Sequence, residues 1–178
     1  MTIRNLLLLG LTAGAAFAGE WSRPVEVRHE DALCVSYEAR LDGPYLVVRT
    51  TVGPGWHTFA LDNQRRAEEK LAGQPALSVD RQTEIKAVSG LTTTAPWYQT
   101  APKDLSRPEL RMFSWGFDRG AVFAAKARRT GAAPVKLAIR GQACTETVCK
   151  NIDVVVNVPT PAKAGPPEIE LKELVAAR

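Results

Sequence analysis

Residues 34–52 read CVSYEARLDGPYLVVRTTV, and the class of fold follows from this stretch. Two runs of alternating apolar and polar residues flank the triplet Asp42-Gly43-Pro44, which is typical of the loop of a β-hairpin. An alternation of period two turns one face of each run towards a core, whereas an amphipathic helix would repeat every 3.6 residues. The stretch therefore predicts two antiparallel strands joined by a three-residue turn.

The same pattern of short strands and turns continues through most of the chain. Glycine- and proline-containing turns such as Gly53-Pro54-Gly55 and residues 131–134 separate β-branched runs. Strands are predicted at residues 25–29, 33–41, 45–52, 57–61, 76–79, 85–88, 115–117, 121–127, 135–140 and 152–158. Short strands of this kind within one domain's length predict an all-β fold, an antiparallel β-sandwich.

Three segments depart from the strand pattern. Residues 62–73 favour a helix in composition but have Leu71 as their one large apolar residue, which predicts an exposed loop or a single helical turn. Residues 92–112 contain three prolines and are interpreted as a long loop, of a length that is usually functional or disordered. Residues 159–167 are rich in proline and alanine and predict a linker, and residues 168–178 predict a short amphipathic helix.

The first 18 residues have the pattern of a secretory signal peptide. Arg4 supplies the positive charge, residues 6–15 the apolar stretch and Ala16-Phe17-Ala18 the cleavage signal. Because roughly 20 apolar residues are needed to span a bilayer, we expect no stable membrane insertion after cleavage. The pattern predicts export to an oxidising compartment, with one domain at residues 19–158 and a tail at residues 159–178.

The charge distribution argues against a nucleic-acid-binding protein. The formal net charge is +4, but the basic residues are scattered, and their doublets are Arg65-Arg66 and Arg128-Arg129. A nucleic-acid-binding surface would need a continuous basic stripe. We therefore interpret these doublets as solvated surface and expect no nucleic-acid partner.

Two of the three cysteines lie close together, in the sequence QACTETVCK at residues 142–150. Cys144 and Cys149 could form a structural disulfide, part of a metal site or a redox pair. A zinc site normally takes four ligands, and outside the pair the chain offers as cysteine or histidine only Cys34, His29 and His57. Neither histidine lies in a metal-like cluster, so zinc is the weakest of the three interpretations.

A disulfide between Cys144 and Cys149 fits the predicted strands at residues 135–140 and 152–158, which place the pair across the mouth of one hairpin. So small a loop contributes only about 2 kcal/mol of stability, whereas a bond from Cys34 to either cysteine would contribute about 5 kcal/mol. Because the bond within the pair would stabilise the fold less than a bond to Cys34, a purely structural role for it is less favoured. Cys34 lies in an alternating strand and is interpreted as a small buried hydrophobe, with a Cys34 disulfide as the alternative.

Local charge distinguishes the two sulfurs. Lys150 adjoins Cys149 and would favour its thiolate, while Glu146 lies nearer Cys144 and would disfavour a thiolate there. The sequence therefore predicts that Cys149 is the exchanging sulfur.

Three stretches in consistent order carry a resemblance to a known family. They are Gln142-Ala143-Cys144 followed by four residues, Cys149 and the strand IDVVVNV; VGPGWHTFALDNQ at 52–64; and SWGFDRGAVFAAKA at 114–127. Together they resemble the N-terminal domain of the thiol:disulfide interchange protein DsbD. The resemblance implies an immunoglobulin-like antiparallel β-sandwich in the periplasm, whose cysteine pair receives electrons from a thioredoxin-like electron donor and passes them to oxidised periplasmic proteins. It implies no cofactor.

The resemblance also implies roles for individual residues. Cys144 and Cys149 match the family's redox pair, which would be the catalytic residues, and Cys149 matches the cysteine that forms the mixed disulfide with partners. In the family an aromatic residue on a loop shields the pair. The counterpart of that residue would be Trp97, Tyr98 or Phe113, and the alternative for each of them is simple packing in the core or at a sheet edge.

The sequence departs from the family's pattern beside the pair. Gly141 stands where the family usually has an aromatic residue, and Lys150-Asn151 replaces a proline-containing sequence. The family's membrane domain and thioredoxin-like domain have no counterpart in this sequence, so we expect the electron donor to be a separate protein. Two functions stay open: a thiol:disulfide exchange protein of the protein-disulfide reductase type, and a non-catalytic protein-binding module with a structural disulfide.

Overall fold

A computed structural model of the protein describes residues 19–75, 80–160 and 165–177. The predicted signal peptide and the strand predicted at residues 76–79 lie outside the described residues. Within the described part of the chain, no helix is long and apolar enough to cross a membrane.

The described residues form short strands and a few helical turns. The strands are β1 (Val25–His29), β2 (Ala32–Asp42), β3 (Tyr45–Val52), β4 (His57–Phe59), β5 (Glu84–Ser89), β6 (Leu91–Gln99), β7 (Lys103–Asp104), β8 (Trp115–Phe117), β9 (Gly120–Arg129), β10 (Val135–Cys144), β11 (Cys149–Val158) and β12 (Val175–Ala176). The helical segments are the α-helix α1 (Asn63–Leu71) and two 3₁₀ turns, Pro108–Leu110 and Leu171–Glu173.

The strands pair antiparallel in two sheets. The first sheet has the order β1-β2-β3-β9-β6-β12 and the second β11-β10-β4-β8-β7, with β5 also pairing to β10. Side chains from both sheets, among them Tyr37, Phe123, Leu137 and Ile139, are fully buried in one core. The predicted fold class is confirmed: the molecule is an all-β, immunoglobulin-like sandwich.

The hairpin predicted from residues 34–52 is present. Strands β2 and β3 pair from Val35 opposite Val52 to Asp42 opposite Tyr45. Gly43 in the turn has a φ of +57°, a left-handed conformation that favours glycine. The alternating pattern thus identified both strands, but the turn is shorter than predicted: Asp42 pairs with Tyr45, which leaves Gly43 and Pro44 as a two-residue loop.

The prediction of an exposed loop or single turn at residues 62–73 was wrong, because α1 is a nine-residue helix packed on the sandwich. Its buried side chains are Asn63, Ala67 and Leu71, spaced four residues apart on one face. The Asn63 side chain donates a hydrogen bond from Nδ2 to the Asp80 carbonyl and accepts one at Oδ1 from the Trp115 amide. The small side chain of Ala67 and the hydrogen-bonded side-chain amide of Asn63 fill most of this face. Leu71 is therefore the one large apolar side chain that the helix buries.

Residues 92–112 are not one long loop. Strand β6 occupies the first part and continues the first sheet beside β9, with a register shift between Thr94 and Tyr98 that accommodates Pro96. The side chain of Gln99, at its end, is buried, donates from Nε2 to Asp62 Oδ1 and accepts at Oε1 from the Leu61 amide. The β-branched run Thr92–Thr94 explains why a strand forms here.

The helix predicted for residues 168–178 was also wrong. The described part of this segment contains a single 3₁₀ turn and strand β12, which pairs with β6 through Val175 opposite Gln99. The amides of Glu168 and Ile169 donate to the carboxylate of Asp42, at 2.9 Å each. Packing against the first sheet therefore replaces the helix that the local pattern favoured.

Candidate redox-active site

The two clustered cysteines form a disulfide at the end of the β10–β11 hairpin. Strand β10 pairs with β11 without interruption from Val135 opposite Val158 to Cys144 opposite Cys149. The sulfurs are 2.07 Å apart and the Cα atoms 4.0 Å. The predicted connectivity is confirmed, and so is the interpretation of Cys34, which is free and fully buried in the core.

The loop between the cysteines is short and internally hydrogen-bonded. The Thr145 amide donates to the Val148 carbonyl at 2.8 Å. The Thr145 hydroxyl oxygen accepts from the amides of Thr147 and Val148 at 3.2 and 3.0 Å. These bonds hold the hairpin end in a defined shape, so the disulfide lies in a fixed position on the surface.

The two halves of the disulfide have different surroundings. Cys144 is only 2 % exposed, whereas Cys149 is exposed. Strand β10 is an interior strand with β11 on one side and β4 on the other, while β11 lies at the edge of its sheet. The position of each strand in the sheet thus explains why one cysteine is covered and the other faces solvent.

His57 lies beside the pair, although the sequence places it in no metal-like cluster. It is directly opposite Cys144 across β4 and β10, on the other side from Cys149. Its ring packs edge-on against Phe59, with 5.3 Å between the ring centroids. Burial lowers the pKa of His57, and Arg107 lowers it further, while Asp80 opposes the change.

Asp80 completes the cluster and was not identified from the sequence. A carboxylate oxygen of Asp80 and the sulfurs of Cys144 and Cys149 all lie within 4.8 Å of one another. The Ser114 hydroxyl donates to Asp80 Oδ2, and Asn63 Nδ2 donates to the Asp80 carbonyl at 2.8 Å. Asp80 is 64 positions before Cys144 in the chain, so no local spacing could have linked them.

An open cleft of about 410 Å³ adjoins the disulfide. One wall comes from the segment between β7 and β8, which contributes Leu105, Arg107 and Met112 and is closed by a β-bridge between the last two. This wall falls inside the range 97–113, where the shielding residue was expected. Its side chains, however, are aliphatic and cationic.

Neither Trp97, Tyr98 nor Phe113 is among the described residues that line the cleft beside the disulfide. Trp97 lines a different cavity with Pro96 and Ala177, because β6 belongs to the opposite sheet. The aromatic shield over the pair remains a prediction from the resemblance.

The third cysteine is electrostatically distinct from the pair. Burial raises the pKa of the Cys34 thiol above its ordinary value, and the charge of Lys150 lowers it in part. Lys150, in β11, is next to Cys149 in sequence. Its charge also acts on the thiol of Cys34, which lies in β2 in the opposite sheet. The preference for a Cys149 thiolate remains a prediction.

The arrangement can carry out two-electron thiol–disulfide chemistry. A bond between an exposed and a buried sulfur, at the edge of an open cleft, leaves Cys149 accessible to another protein and Cys144 protected. The nearby carboxylate and imidazole are groups that can hold protons or cations.

No family model matches the chain, and no curated protein matches it. Two solved structures are similar: the N-terminal periplasmic domain of ScsB from Proteus mirabilis and the N-terminal domain of DsbD from Neisseria meningitidis in the reduced form. The first is 14 % identical with a TM-score of 0.52, covering 78 % of this chain and 51 % of that one. The second is 15 % identical with a TM-score of 0.37, covering 70 % and 82 %.

This chain thus spans about half the length of the ScsB domain structure. At such low identity, the likeness to it concerns the fold. The resemblance stated from the sequence is borne out at the level of the fold: the molecule shares the sandwich architecture of the N-terminal periplasmic domain of ScsB.

Proposed function

We propose that this protein is a periplasmic thiol:disulfide exchange domain that passes reducing equivalents through Cys144 and Cys149 to oxidised partner proteins. The observation that carries the proposal is a disulfide with one exposed and one buried half, at the edge of an open cleft. The signal-peptide pattern of residues 1–18 and the periplasmic domains of similar fold support the location.

The exchange runs in two steps from the reduced protein. The Cys149 thiolate attacks one sulfur of a partner's disulfide, forming a mixed disulfide while the partner's other sulfur leaves as a thiolate. The Cys144 thiolate then attacks the Cys149 sulfur, which restores the intramolecular disulfide and releases the second partner sulfur as a thiolate. The partner gains two electrons, and this protein loses two.

The exposure of the two sulfurs supports this order of attack. Cys149 lies on the edge strand and can meet a partner's sulfur, whereas Cys144 is covered and bonded to Cys149. The sequence argument from Lys150 and Glu146 favours the same order. Access and charge are independent reasons, and both assign the first attack to Cys149.

The proposed electron donor is a thioredoxin-like protein that returns two electrons to the Cys144–Cys149 disulfide. Such a donor would attack the exposed sulfur by the same in-line chemistry. The internally bonded loop at residues 145–148 offers a fixed surface beside that sulfur. Val148, which is 39 % exposed, gives the surface an apolar contact point.

A redox titration tests the proposal. The purified protein is equilibrated in glutathione buffers of graded potential, its thiols are alkylated, and the products are counted by mass spectrometry. We expect Cys144 and Cys149 to titrate together at a potential above roughly −300 mV, the upper range of structural disulfides in secreted proteins. A lower potential would favour the binding module with a structural disulfide. Cys34→Ala is the control and should titrate as the wild type does.

A further inference from the structure

We propose that the reduced protein binds one Zn²⁺ ion through Cys144, Cys149, Asp80 and His57. Zinc binding uses the same two cysteines as the proposed exchange function but does not depend on it. It requires that the disulfide be reduced, and it needs no partner protein.

Three of the four residues form one row across the second sheet. His57 in β4 is opposite Cys144 in β10, and Cys144 is opposite Cys149 in β11. Directly opposite residues in an antiparallel sheet have side chains on the same face, with Cβ atoms about 5 Å apart. The imidazole and both sulfurs therefore project from one face, at the same level of the sheet.

The fourth residue approaches this row from another segment. Asp80 precedes β5 and puts a carboxylate oxygen within 4.8 Å of both sulfurs. The Ser114 hydroxyl donates to the carboxylate, and Asn63 holds the backbone of Asp80 in place. Carboxylates that bind metals are commonly oriented by hydrogen bonds from neighbouring residues that do not touch the metal. The Asp80 carboxylate is therefore already positioned for a ligand role.

Opening the disulfide brings the two sulfurs to the spacing of a zinc site. The sulfurs are 2.07 Å apart when bonded, and in a tetrahedral zinc site with Zn–S bonds of about 2.3 Å they are roughly 3.7 Å apart. Two unbonded sulfurs separate to a similar distance. A carboxylate oxygen of Asp80 already lies within 4.8 Å of both sulfurs. His57 lines the same cleft, but its ring nitrogens are not within 4.8 Å of all three other ligand atoms, so the imidazole has to turn towards them to become the fourth ligand.

The ligand set selects Zn²⁺ by its chemistry. Two thiolates, one imidazole and one carboxylate combine soft, borderline and hard donors, which suits a borderline divalent cation in tetrahedral geometry. Calcium and magnesium prefer sites made only of oxygen ligands. The third cysteine, Cys34, is not part of this ligand set. It is buried in the core and lies outside the group of possible metal ligands found among the described residues.

The redox state controls the site. In the oxidised protein both sulfurs are bonded to each other and no thiolate is present. Reduction by a phosphine consumes one water, converts the phosphine to its oxide and gives two thiols. Zinc binding then replaces the two thiol protons with two Zn–S bonds and releases the protons to solvent.

The test is a zinc titration of the purified protein. The protein is reduced with tris(2-carboxyethyl)phosphine, desalted without oxygen and titrated with Zn²⁺ in competition with a chromophoric chelator. We expect one Zn²⁺ per chain for the reduced protein and none for the oxidised protein. Asp80→Asn and His57→Gln should each weaken binding about tenfold or more. Co²⁺ in place of Zn²⁺ should give the visible absorption of a tetrahedral thiolate site.

Matched variants separate the site from general effects. Asp31→Asn and His29→Gln change the same residue types away from the cleft and should bind as the wild type does. Cys149→Ser changes an exposed residue, so we expect the variant to fold, and it should lose stoichiometric binding of Zn²⁺. The proposal is overturned if the reduced wild type binds no stoichiometric Zn²⁺. It is equally overturned if Asp80→Asn and His57→Gln both bind as tightly as the wild type.

Discussion

Two hairpins of this sandwich have the same local architecture and opposite surroundings. The turn of the β2–β3 hairpin is closed, because Asp42 is fully buried and accepts amide hydrogen bonds from Glu168 and Ile169. Arg40 bridges Asp42 at 3.3 Å and Glu168 at 3.0 Å. The end of the β10–β11 hairpin is open and carries the disulfide at the edge of a cleft.

The β-hairpin has a different role at each of these two places. At the closed turn, a buried charge is fully partnered and the chain folds back over it, which stabilises the sandwich. At the open end, the covalent bond adds little stability for so short a loop, and half of it faces solvent. We infer that the first hairpin serves the fold and the second serves chemistry.

The largest expected effect is on the trapping of partners at the open hairpin. Cys144→Ser leaves the exposed Cys149 thiol without a resolving sulfur, so mixed disulfides with periplasmic proteins should accumulate. Cys149→Ser leaves only the covered thiol and should trap at least roughly tenfold less. Non-reducing gels of both variants expressed in a periplasm measure this, with partners identified after reduction.

Three other results would be informative for the exchange proposal. Equal trapping by both variants would contradict the assigned order of attack, and stronger trapping by Cys149→Ser would reverse it. Trapping by neither variant would favour the binding module with a structural disulfide.

The second prediction breaks the closed turn. Asp42→Ala removes the acceptor of two amide hydrogen bonds and the partner of a covered arginine, so the free energy of unfolding should fall by about 3 kcal/mol. Urea denaturation measures the change. Asp153→Ala is the control, because its carboxylate meets Arg140 on the surface and should cost less than about 1 kcal/mol. Equal losses for both variants would contradict the role given to Asp42.

These two hairpins also show how far sequence reasoning reaches. Alternation and turn residues are local properties, so residues 34–52 revealed their strands, and the disulfide followed from the strands around it. The helix α1 was missed because its buried face uses Asn63 and Ala67 rather than large apolar residues. A pattern based on bulky side chains has no signal for such a face.

The rest of the site depends on contacts between distant segments. Asp80 and His57 come to the pair from separate parts of the chain, through the sheet register and the hydrogen bonds of Asn63 and Ser114. The tail likewise became a strand because Asp42 and β6 offered it partners. Tertiary packing overrides local preference at these positions, and a single sequence does not display it.

The third prediction concerns the free energy contributed by the disulfide. Reduction of the Cys144–Cys149 bond should lower the free energy of unfolding by about 2 kcal/mol, since the closed loop is short. Urea denaturation with and without a phosphine reductant measures it, in a Cys34→Ala background. A loss clearly above that of Asp42→Ala would identify the bond as the main structural clasp and weaken the division between the two hairpins.

The fourth prediction sharpens the contrast between the cysteines. Burial raises the pKa of Cys34, so at pH 8 less of it is thiolate, and reagents also reach it poorly. In the reduced protein, iodoacetamide should modify Cys149 first and Cys34 last, with Cys34 roughly tenfold or more slower than in urea. Mass spectrometry of timed samples reports the order. Early modification of Cys34 in the folded protein would contradict its place in the core.

The smallest expected effect is a pH dependence of stability at the open hairpin. Burial lowers the pKa of His57 below its ordinary value of 6.5, so the unfolded chain binds more protons than the folded chain over the interval between the two values. The contribution of His57 to stability is therefore complete above pH 6.5 and is lost as the pH falls through that interval. We expect His57→Gln to remove this part of the decline in the free energy of unfolding between pH 7 and pH 5, and His29→Gln to keep it. Urea denaturation of the oxidised protein in the presence of a chelator measures both slopes. If His57→Gln declined as steeply as the wild type, the half-buried imidazole beside Cys144 would not be the group that titrates.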